Sequence, residues 1–414
     1  MNLLESEIKQ VSYPPGASIL IKDAVNPGLF FVVQQGIVRV DSEHMDIDHQ
    51  LTQYKAGDSF GLVSAFTEHK YLVTLFAQTE VKVLQIPIQH LGTFLKNDKE
   101  LALKILRLYS NELRTLQKSL SHANHPSDRA YHPEKLIQNA KRYLEWNNPR
   151  FASYSIYKYL DWTETNEAKD PFLYSQAKEL LKRCKVDYRG PNWHKNQMEL
   201  KAGEVLFLES EQSFEIYVIL TGQVKLFSIV RSNEYVIDIL GPGEIFGEMS
   251  LIENAPRMAS AITEIDSTIL QVTAENLLES VGAPILQKIF ESIARRIWFS
   301  HQRLLILKMK TSIRRLYSYL ALAIRDKEIR LHWEESYSYN NSIRLPLSFL
   351  DLCSLTGIIK IKKEIAAEFR NDSNLKIEEN NIVVKSRRML EEKAAIWKGR
   401  ELKGIYSLES DSEI

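Results

Sequence analysis

The chain has 414 residues, enough for two to four domains. Its 53 basic and 53 acidic side chains cancel, so no overall charge points to nucleic acid or to a membrane surface. The hydrophobic share of 44% is ordinary for a globular protein, and no apolar run approaches the roughly 18 residues of a membrane span. Because the first residues lack the pattern of a secretory signal, we expect a cytoplasmic protein without a membrane partner.

The two cysteines, Cys184 and Cys353, are far apart and belong to no CxxC or His–Cys cluster. This spacing favours neither a disulfide framework nor a zinc site. We therefore expect two buried thiols and no metal.

Short apolar runs separated by turn residues predict a β-domain over residues 10–86. Examples are Leu29–Val33 and Val81–Ile86. Several short strands at this spacing are typical of a sandwich or barrel, here a β-roll or jelly roll. Over residues 87–120 the apolar period becomes helical and forms a narrow seam suited to another helix. The first domain is therefore predicted over residues 1–121.

A helical spacer is predicted over residues 122–189. It begins with a polar linker, residues 122–132, and continues as about three helices separated by Asn147-Asn-Pro and Asp170-Pro. Small and aromatic residues paired on these helices weakly resemble tetratricopeptide-type repeats, although fewer than three repeats seldom stand alone. Two interpretations are open: a spacer that holds the two β-domains, and a surface that binds a protein partner.

The plan of the first domain recurs over residues 190–308, so the chain contains an internal repeat. Gly57-Asp-Ser-Phe-Gly matches Gly243-Glu-Ile-Phe-Gly, and strand patterns surround both. A long helix is predicted to follow and to end at about Leu307. Its apolar residues from Leu286 onward repeat with strict heptad spacing, which again predicts a helix-packing seam.

One stretch, Ile245–Ala261, carries the chemistry of the second copy. Gly247 lets the backbone approach a ligand closely, and the short helix expected after it offers free N–H groups to an anion. Glu248 can accept a hydrogen bond from a sugar hydroxyl, and Arg257 can bind a phosphate in a charge-assisted fork. An acid for a ribose and an arginine for a phosphate predict a nucleotide site.

The pattern Phe-Gly-Glu-x-Ser-Leu followed by Pro-Arg-x-Ala resembles the phosphate-binding cassette of cyclic nucleotide-binding domains. Such domains occur in catabolite activator-type regulators, cyclic-nucleotide-dependent kinases and gated channels. The resemblance implies a cyclic nucleotide effector held by Phe246, Gly247, Glu248, Met249, Ser250, Arg257, Met258 and Ala259. In the family a Thr or Ser at the position of Met258 is associated with guanine contact, so cyclic AMP is expected rather than cyclic GMP.

The long helix supplies one further candidate, Ser300, which is the polar member of the heptad seam. In catabolite activator-type proteins this helix presents a hydroxyl to the base, after an Ala-Arg-Arg that here is Ala294-Arg-Arg. The resemblance places that hydroxyl at Ser300. Control of helix register at the seam is the alternative role.

The first copy resembles the same domain but lacks its polar residues. Leu62 stands at the position of the glutamate and Tyr71 at that of the arginine. The resemblance therefore implies a degenerate first domain that does not bind a cyclic nucleotide in the ordinary way. His69 and Lys70 lie beside Tyr71 and could hold another anion, but we expect a solvated turn.

Residues 309–402 resemble the DNA-binding domain of the catabolite activator/fumarate-nitrate regulator family, so the resemblance to this family extends to the C-terminal region. Leu347–Gly357 looks like the first helix and turn of its winged helix-turn-helix, Ile358–Arg370 like the recognition helix and Asn374–Lys385 like the wing. From Lys308 to Lys403 there are 20 basic and 13 acidic residues, which suits DNA. The expected DNA contacts are Lys360, Lys362, Lys363 and Lys385.

The expected recognition helix departs from the family in one respect. Its opening carries lysines, where the family usually has an Arg-Glu pair and another arginine beyond. Lysine suits phosphates, whereas bidentate base reading favours arginine, asparagine or glutamine. This departure argues against sequence-specific readout in the usual manner.

Together these patterns predict a multidomain α+β protein: two β-roll domains, each with a long C-terminal helix, a helical spacer and a winged helix. The leading hypothesis is a cyclic AMP-responsive transcription regulator in which the ligand closes the second domain and re-aims the winged helix on DNA. The alternative is a sensor that acts through protein partners with a vestigial winged helix. No nucleophile with a neighbouring base, metal-ligand spacing or Walker loop suggests an enzyme.

The two seams also raise the question of oligomeric state. The helices at 102–120 and 286–307 could pair within one chain and give a monomer with a pseudo-dimeric sensor. An ordinary homodimer is the alternative.

Residues 403–414 are predicted to form a disordered acidic tail.

Overall fold

A computed structural model describes most of the chain between residues 7 and 402. The stretches outside the description are 1–6, 42–51, 125–132, 166–169, 214, 231–232, 249–255, 274–275, 277–281, 331–341, 346, 359, 379–380 and 403–414. The predicted acidic tail and most of the predicted polar linker therefore lie outside the described residues.

The described part of the first β-domain contains eight antiparallel strands in two four-stranded sheets. The strands are β1 (Lys9–Tyr13), β2 (Ser18–Leu20), β3 (Leu29–Gln35), β4 (Val38–Val40), β5 (Gln53–Tyr54), β6 (Ser59–Phe60), β7 (Leu75–Ala77) and β8 (Val81–Pro87). The strand orders are β1-β8-β3-β6 and β2-β7-β4-β5. Inward-facing apolar residues of both sheets fill the space between them, as the short alternating runs require.

The second β-domain repeats this topology. Its strands are β9 (Gln197–Leu200), β10 (Val205–Phe207), β11 (Ile216–Thr221), β12 (Val224–Val230), β13 (Asn233–Leu240), β14 (Ile245–Phe246), β15 (Ser260–Thr263) and β16 (Ser267–Val272). The orders β9-β16-β11-β14 and β10-β15-β12-β13 match the first domain strand for strand. The register agrees too, since Tyr217 pairs with Phe246 as Phe31 pairs with Phe60. The internal repeat seen in the sequence is thus a repeat of the fold.

Helices connect and follow the two β-domains. They are α1 (Leu62–Thr67), a 3-10 turn (Ile88–His90), α2 (Leu91–Asn97), α3 (Lys99–Asn124), α4 (Glu134–Glu145), α5 (Pro149–Thr165), α6 (Pro171–Cys184) and α7 (Ala283–Leu307). The helix expected over 87–120 is broken at Asp98, whose carboxylate accepts a hydrogen bond from the Leu101 N–H at 3.0 Å and starts α3. Helix α3 runs to Asn124, so the linker expected from residue 122 begins later than predicted.

Helices α3 and α7 pack against each other, so the two β-domains are joined through their long helices. The apolar seam residues of α3 from Ala102 to Leu120 and those of α7 from Leu286 to Leu304 belong to one hydrophobic core. Helices α1 and α2 of the first domain also pack on α7. Both seams that the sequence predicted therefore meet inside a single chain.

The spacer helices α4, α5 and α6 pack on the second β-domain. Their core residues, among them Tyr143 and Ile156, share one cluster with Val205, Leu208 and Phe227 of that domain. The Asn147-Asn-Pro and Asp170-Pro breaks fall between the helices as predicted. The spacer is thus part of the same folded body as the second β-domain.

The C-terminal region continues from α7 through further helices and a small sheet. Its elements are α8 (Ser312–Arg330), β17 (Ile343–Leu345), α9 (Phe349–Leu355), α10 (Lys363–Arg370), β18 (Leu375–Ile377), β19 (Ile382–Val384) and α11 (Arg387–Leu402). The three strands pair in the order β17-β19-β18. A reciprocal capping box between Ser348 and Asp351 starts α9.

The helix expected over Ile358–Arg370 is shorter than predicted. Helix α9 ends in a Schellman motif, with Gly357 at φ 70° and the Ile358 N–H bonded to the Cys353 carbonyl at 2.8 Å. This motif uses the buried Ile358 to close α9, and the chain stays extended at Lys362 before α10 begins. Lys360 and Lys362 therefore precede the helix, and only Lys363 of the expected contacts lies on it.

Both cysteines are free and buried, as predicted. Burial raises the pKa of both thiols, that of Cys353 to about 11. Across the described residues, no helix is both long and apolar enough to cross a bilayer.

The contact between α2 and α7 predicts opposite effects for two helical glycines. A Cβ at Gly92 in α2 would lie 2.3 Å from the Ala283 carbonyl oxygen, whereas nothing lies within 4 Å of a Cβ at Gly399 in α11. We expect Gly92→Ala to lower the free energy of unfolding by about 1–3 kcal/mol, because backbone has to move. We expect Gly399→Ala to raise it by up to about 1 kcal/mol through helix propensity. Urea denaturation measures both, and equal effects would contradict the packing of α2 on α7.

Candidate functional site

The cassette begins where strand β14 ends. Gly247 follows Phe246 with φ 79°, in the left-handed region that favours glycine, and Glu248 is the next described residue. Of the predicted site, Met249 and Ser250 lie outside the described residues, as does the rest of the short helix expected there. The described chain resumes at 256, shortly before strand β15.

Arg257 is buried and held by the protein. Its guanidinium donates to the Gly247 carbonyl at 2.9 Å, to the Glu215 carbonyl at 2.7 Å and to the Ser213 hydroxyl at 2.8 Å. The Phe207 ring covers one face, with its centroid 4.1 Å from the guanidinium carbon. These bonds fix the cation beside the cassette backbone and use at least three of its five N–H donors.

Gly247 is required for a second reason. A Cβ at this position would lie 2.7 Å from Nη1 of Arg257 and 3.0 Å from the Glu215 carbonyl oxygen. Any side chain would therefore push the cation away from the cassette. The glycine that the sequence assigned to ligand approach also admits the arginine.

Glu248 is fully buried and forms an ion pair that the sequence did not predict. Its Oε1 accepts a hydrogen bond from Nη1 of Arg296 on α7 at 2.8 Å, and the same nitrogen lies 3.3 Å from the Ile245 carbonyl oxygen. Its Oε2 is also buried and has no hydrogen-bond partner among the described residues. A buried carboxylate oxygen without a donor is costly, so the site suits a ligand that brings a hydroxyl.

The neighbouring Arg295 joins three parts of the molecule. Its guanidinium donates to Glu244 in the turn before β14 and to Asp326 on α8 at 2.6 Å. Asp238 on β13 lies 3.8 Å away. One side chain of α7 thus connects the cassette turn to the first helix of the C-terminal region.

Sequence reasoning noticed the Ala-Arg-Arg on the long helix but gave it no role. Two adjacent charges in an otherwise apolar heptad pattern were the available signal. A buried arginine has to be paired, so both residues pointed to acidic partners in the sensor domain. Which acids they reach follows only from the packing of α7.

Four further residues of the predicted nucleotide site lie among the described residues. Met258 and Ala259 are half-buried and follow Arg257 directly. Ser300 is buried on α7, one turn beyond Arg296 and on the same side of the helix. Phe246 is different, because its side chain is fully buried in the core and stacks on Tyr217 with ring centroids 5.1 Å apart. Phe246 lies directly before the cassette glycine, and its part in nucleotide binding stays a prediction.

The first copy has the same backbone arrangement at its cassette. The Tyr71 N–H bonds to the Ala24 carbonyl at 2.9 Å, and the Asp23 N–H bonds to the Tyr71 carbonyl at 3.0 Å. In the second copy Arg257 makes the corresponding pair of bonds with Glu211 and Ser210. Tyr71 therefore occupies the position of the arginine.

A neutral amide replaces the guanidinium in the first copy. Asn26 donates to the Gly61 carbonyl at 3.1 Å and to the Leu29 carbonyl at 3.0 Å, as Arg257 does to Gly247 and Glu215. Leu62, at the position of Glu248, is fully buried. The first cassette thus keeps its backbone bonds with neither the buried cation nor the acid.

His69 does not lie in a solvated turn, so that expectation is wrong. Its ring packs on Trp298 of α7, with centroids 3.9 Å apart, and Nδ1 lies 3.3 Å from Arg325 of α8. Burial and then the charge of Arg325 lower the pKa of His69 to about 4, so the imidazole is neutral at pH 7. A neutral half-buried ring does not attract an anion. Its neighbour Lys70 is exposed.

The four lysines expected to contact DNA are all exposed. Lys363 is the first residue of α10, and Lys385 follows β19, where its ammonium donates to the Ser373 carbonyl at 2.6 Å. Lys360 and Lys362 lie on the segment before α10. The structure therefore presents lysine charge around the start of α10 and at the end of the β18–β19 hairpin.

Two segments of the chain, residues 10–98 and 197–281, match the family model of the cyclic nucleotide-binding domain. The chain therefore contains two cyclic nucleotide-binding domains, one in each β-domain. The cyclic AMP receptor protein of Thermus thermophilus is 35% identical over 77 residues, 18% of this chain and 36% of that protein. A CRP-like cAMP-activated global transcriptional regulator of Mycobacterium tuberculosis is 28% identical over 103 residues, 24% of this chain and 46% of that protein. The chain has homologues among transcription regulators of this kind.

These relatives are matched over only part of their length. The chain spans about a third of the first relative and just under half of the second. A solved structure of a CRP/FNR-family transcriptional regulator from Thermus thermophilus aligns with 48% of this chain and 98% of its own, with 18% sequence identity and a TM-score of 0.36.

Within the described part of the chain, no group of three or more His, Cys, Asp and Glu side chains is placed to hold a metal ion.

The ion pair between Glu248 and Arg296 predicts that replacing the arginine alone lowers stability strongly and that replacing both residues restores most of it. We expect Arg296→Met to lower the free energy of unfolding at pH 7 by about 3–5 kcal/mol, because it leaves a buried carboxylate without its cation. Adding Glu248→Met removes that charge and should recover most of the loss. Urea denaturation measures the series, with Arg388→Met in an exposed pair as the control. Equal destabilisation of the single and double variants would contradict a buried ion pair.

Proposed function

We propose that the protein is a cytoplasmic transcription regulator that binds cyclic AMP, rather than cyclic GMP, in its second cyclic nucleotide-binding domain and acts on DNA. The observation that carries this proposal is Oε2 of Glu248, which is buried beside the cassette that also holds Arg257 and has no hydrogen-bond partner among the described residues. A ribose hydroxyl donates to that oxygen, and the cyclic phosphate binds Arg257 and the Gly247 backbone. Ser300 contacts the base, and Met258 in place of a hydroxyl residue favours adenine.

The ligand signal passes through α7. A ribose bound at Oε2 of Glu248 shares the carboxylate with Arg296 at Oε1, so occupancy changes how α7 is held against the cassette. Arg295 carries any movement of α7 to α8 through Asp326. Nucleotide binding shifts the population between two positions of the C-terminal region, in proportion to its different affinity for the two.

The first domain is proposed to bind no cyclic nucleotide. Leu62 has no acceptor for a ribose, and Tyr71 has no charge for a phosphate. The domain instead covers the α7 seam through α1, α2 and α3, as a second subunit would. We therefore propose a monomer with one nucleotide site. A dimer found by light scattering at low micromolar concentration would favour the homodimer instead.

The C-terminal region is proposed to be a winged helix-turn-helix. Helices α9 and α10 form the helix-turn-helix, and the β18–β19 hairpin forms the wing, in the chain order that this motif has. Lys360, Lys362, Lys363 and Lys385 contact phosphates on DNA. A monomer presents one such unit, which suits a short site without two-fold symmetry.

A second candidate function is a nucleotide sensor that acts on a protein partner. The segment before α10 and the first residue of α10 offer lysines, not the arginine or amide side chains that read base edges. Phosphate contacts alone give binding without sequence preference. In this case the C-terminal region, or the spacer, binds the partner.

The nucleotide proposal predicts one site per chain, in which binding depends strongly on Arg257. Calorimetric titration with cyclic AMP should give a stoichiometry near one, and Arg257→Ala should weaken binding by on the order of 100-fold, because a charged hydrogen-bond donor is lost. Tyr71→Phe, at the same place in the first copy, is the control and should leave affinity unchanged. Wild-type affinity in Arg257→Ala, or two sites per chain, would overturn the assignment.

The DNA proposal predicts a steep dependence of affinity on salt. Mobility shift of genomic fragments with the nucleotide-loaded protein should show retention that weakens as salt rises. Lys362→Ala with Lys363→Ala should reduce the slope of log affinity against log salt by about two, whereas Lys201→Ala in the second β-domain should not. Loss of all retention even at low salt would favour the protein-partner function.

A further inference from the structure

The spacer reaches the nucleotide site through one buried acid, Glu211. Its Oε2 accepts hydrogen bonds from the Tyr154 hydroxyl and from the Leu208 N–H, both at 3.0 Å. Its Oε1 lies 3.2 Å from the Lys158 ammonium. Tyr154 and Lys158 both belong to spacer helix α5, one turn apart. The carboxylate is thus fixed by the spacer and by the β-domain together.

Glu211 also holds the backbone of Arg257. The Arg257 N–H donates to the Glu211 carbonyl at 2.9 Å, and the Ser210 N–H donates to the Arg257 carbonyl at 2.8 Å. Ser210 has φ 73°, a conformation that non-glycine residues adopt only when their surroundings impose it. The segment that carries the candidate phosphate ligand is therefore bonded on both sides to a turn that the spacer clamps.

The first copy provides an internal comparison. It has the same two backbone bonds at Tyr71, and Asp23 has the same left-handed conformation at φ 66°. The residue that corresponds to Glu211 is Ala24, which is exposed and has no carboxylate. The backbone turn therefore forms without a clamp, and the clamp is present in the copy that has the arginine.

We propose that spacer helix α5 positions Arg257 for the phosphate of the bound nucleotide, with Lys158, Tyr154 and Glu211 as positioning residues. This inference rests on the proposed nucleotide site. The spacer is then a working part of the sensor and not only a connection between two domains. Anything that shifts α5 changes affinity for the cyclic phosphate through the Ser210–Glu211 turn.

A shift of α5 would displace Arg257 because leaving the buried Glu211 carboxylate without its partners is costly. A buried carboxylate that loses its ammonium partner or its hydroxyl donor moves toward water or takes up a proton. Either response displaces the turn that bonds to Arg257. A displacement of a few tenths of an ångström at the guanidinium weakens contacts to a phosphate more than contacts to a base, because bidentate hydrogen bonds depend on angle.

The test compares two probes and four variants of the full chain. Affinities for cyclic AMP and for adenosine, which lacks the phosphate, are measured by calorimetry for wild type, Lys158→Met, Lys158→Arg, Tyr154→Phe and Arg150→Met. Lys158→Met and Tyr154→Phe should weaken cyclic AMP by on the order of tenfold and leave adenosine unchanged. Lys158→Arg keeps the cation and should restore cyclic AMP binding. Lys158 is one-third exposed, so its substitution leaves the core intact.

Arg150→Met is the matched control. Arg150 also pairs an α5 side chain with an acid of the second β-domain, Glu204 at 2.9 Å, but it does not touch the Ser210–Glu211 turn. It should leave both affinities unchanged. Unchanged cyclic AMP affinity in Lys158→Met and Tyr154→Phe, or an equal loss for both probes, would overturn the positioning role while leaving the nucleotide site in place. Failure of wild type to bind cyclic AMP or cyclic GMP would reject the proposed function and this inference with it.

Discussion

The burial of two adjacent arginines on helix α7 is the constraint on which the rest of the structure depends. A guanidinium inside a protein has to be paired, and α7 is covered by the first domain on one side and by the second on another. Arg296 finds Glu248 in the cassette, and Arg295 finds Glu244 and Asp326. The second β-domain and the C-terminal region are therefore both bonded to the long helix through these two neighbouring arginines.

The two copies of the β-domain separate what the fold requires from what the chemistry requires. Both need a donor that satisfies the two carbonyls beside the cassette glycine, and an amide from Asn26 meets that need as well as Arg257 does. The backbone of the cassette therefore survives without a cation. Charge at this position is extra to the fold, which is why the buried Arg257 of the second copy is a good marker of a ligand.

Much of the fold could be predicted from the sequence, because strand alternation, heptad seams and turn residues act locally. The repeat, the three spacer helices and the two long helices follow from such patterns. The Schellman motif at Gly357 was missed because the turn glycine alone does not say whether the next residue starts a helix or closes the last one. In the site, the local pair of Gly247 and Glu248 was visible, whereas Arg296 and the Glu211 clamp depend on contacts between distant segments. The side chain of Phe246 packs in the core, which the motif alone does not show.

The pairing of α3 with α7 inside one chain has a consequence for how far the sequences of the two halves can differ. In a two-fold dimer every substitution appears twice, and the interface has to be complementary to itself. Here the two halves are encoded separately, so the seam of α3 and the seam of α7, which includes the buried Ser300, can carry different residues. The two cassettes accordingly carry different residues, Leu62 and Tyr71 in one and Glu248 and Arg257 in the other. A repeat within one chain thus has no symmetry that would require the same residues at both cassettes.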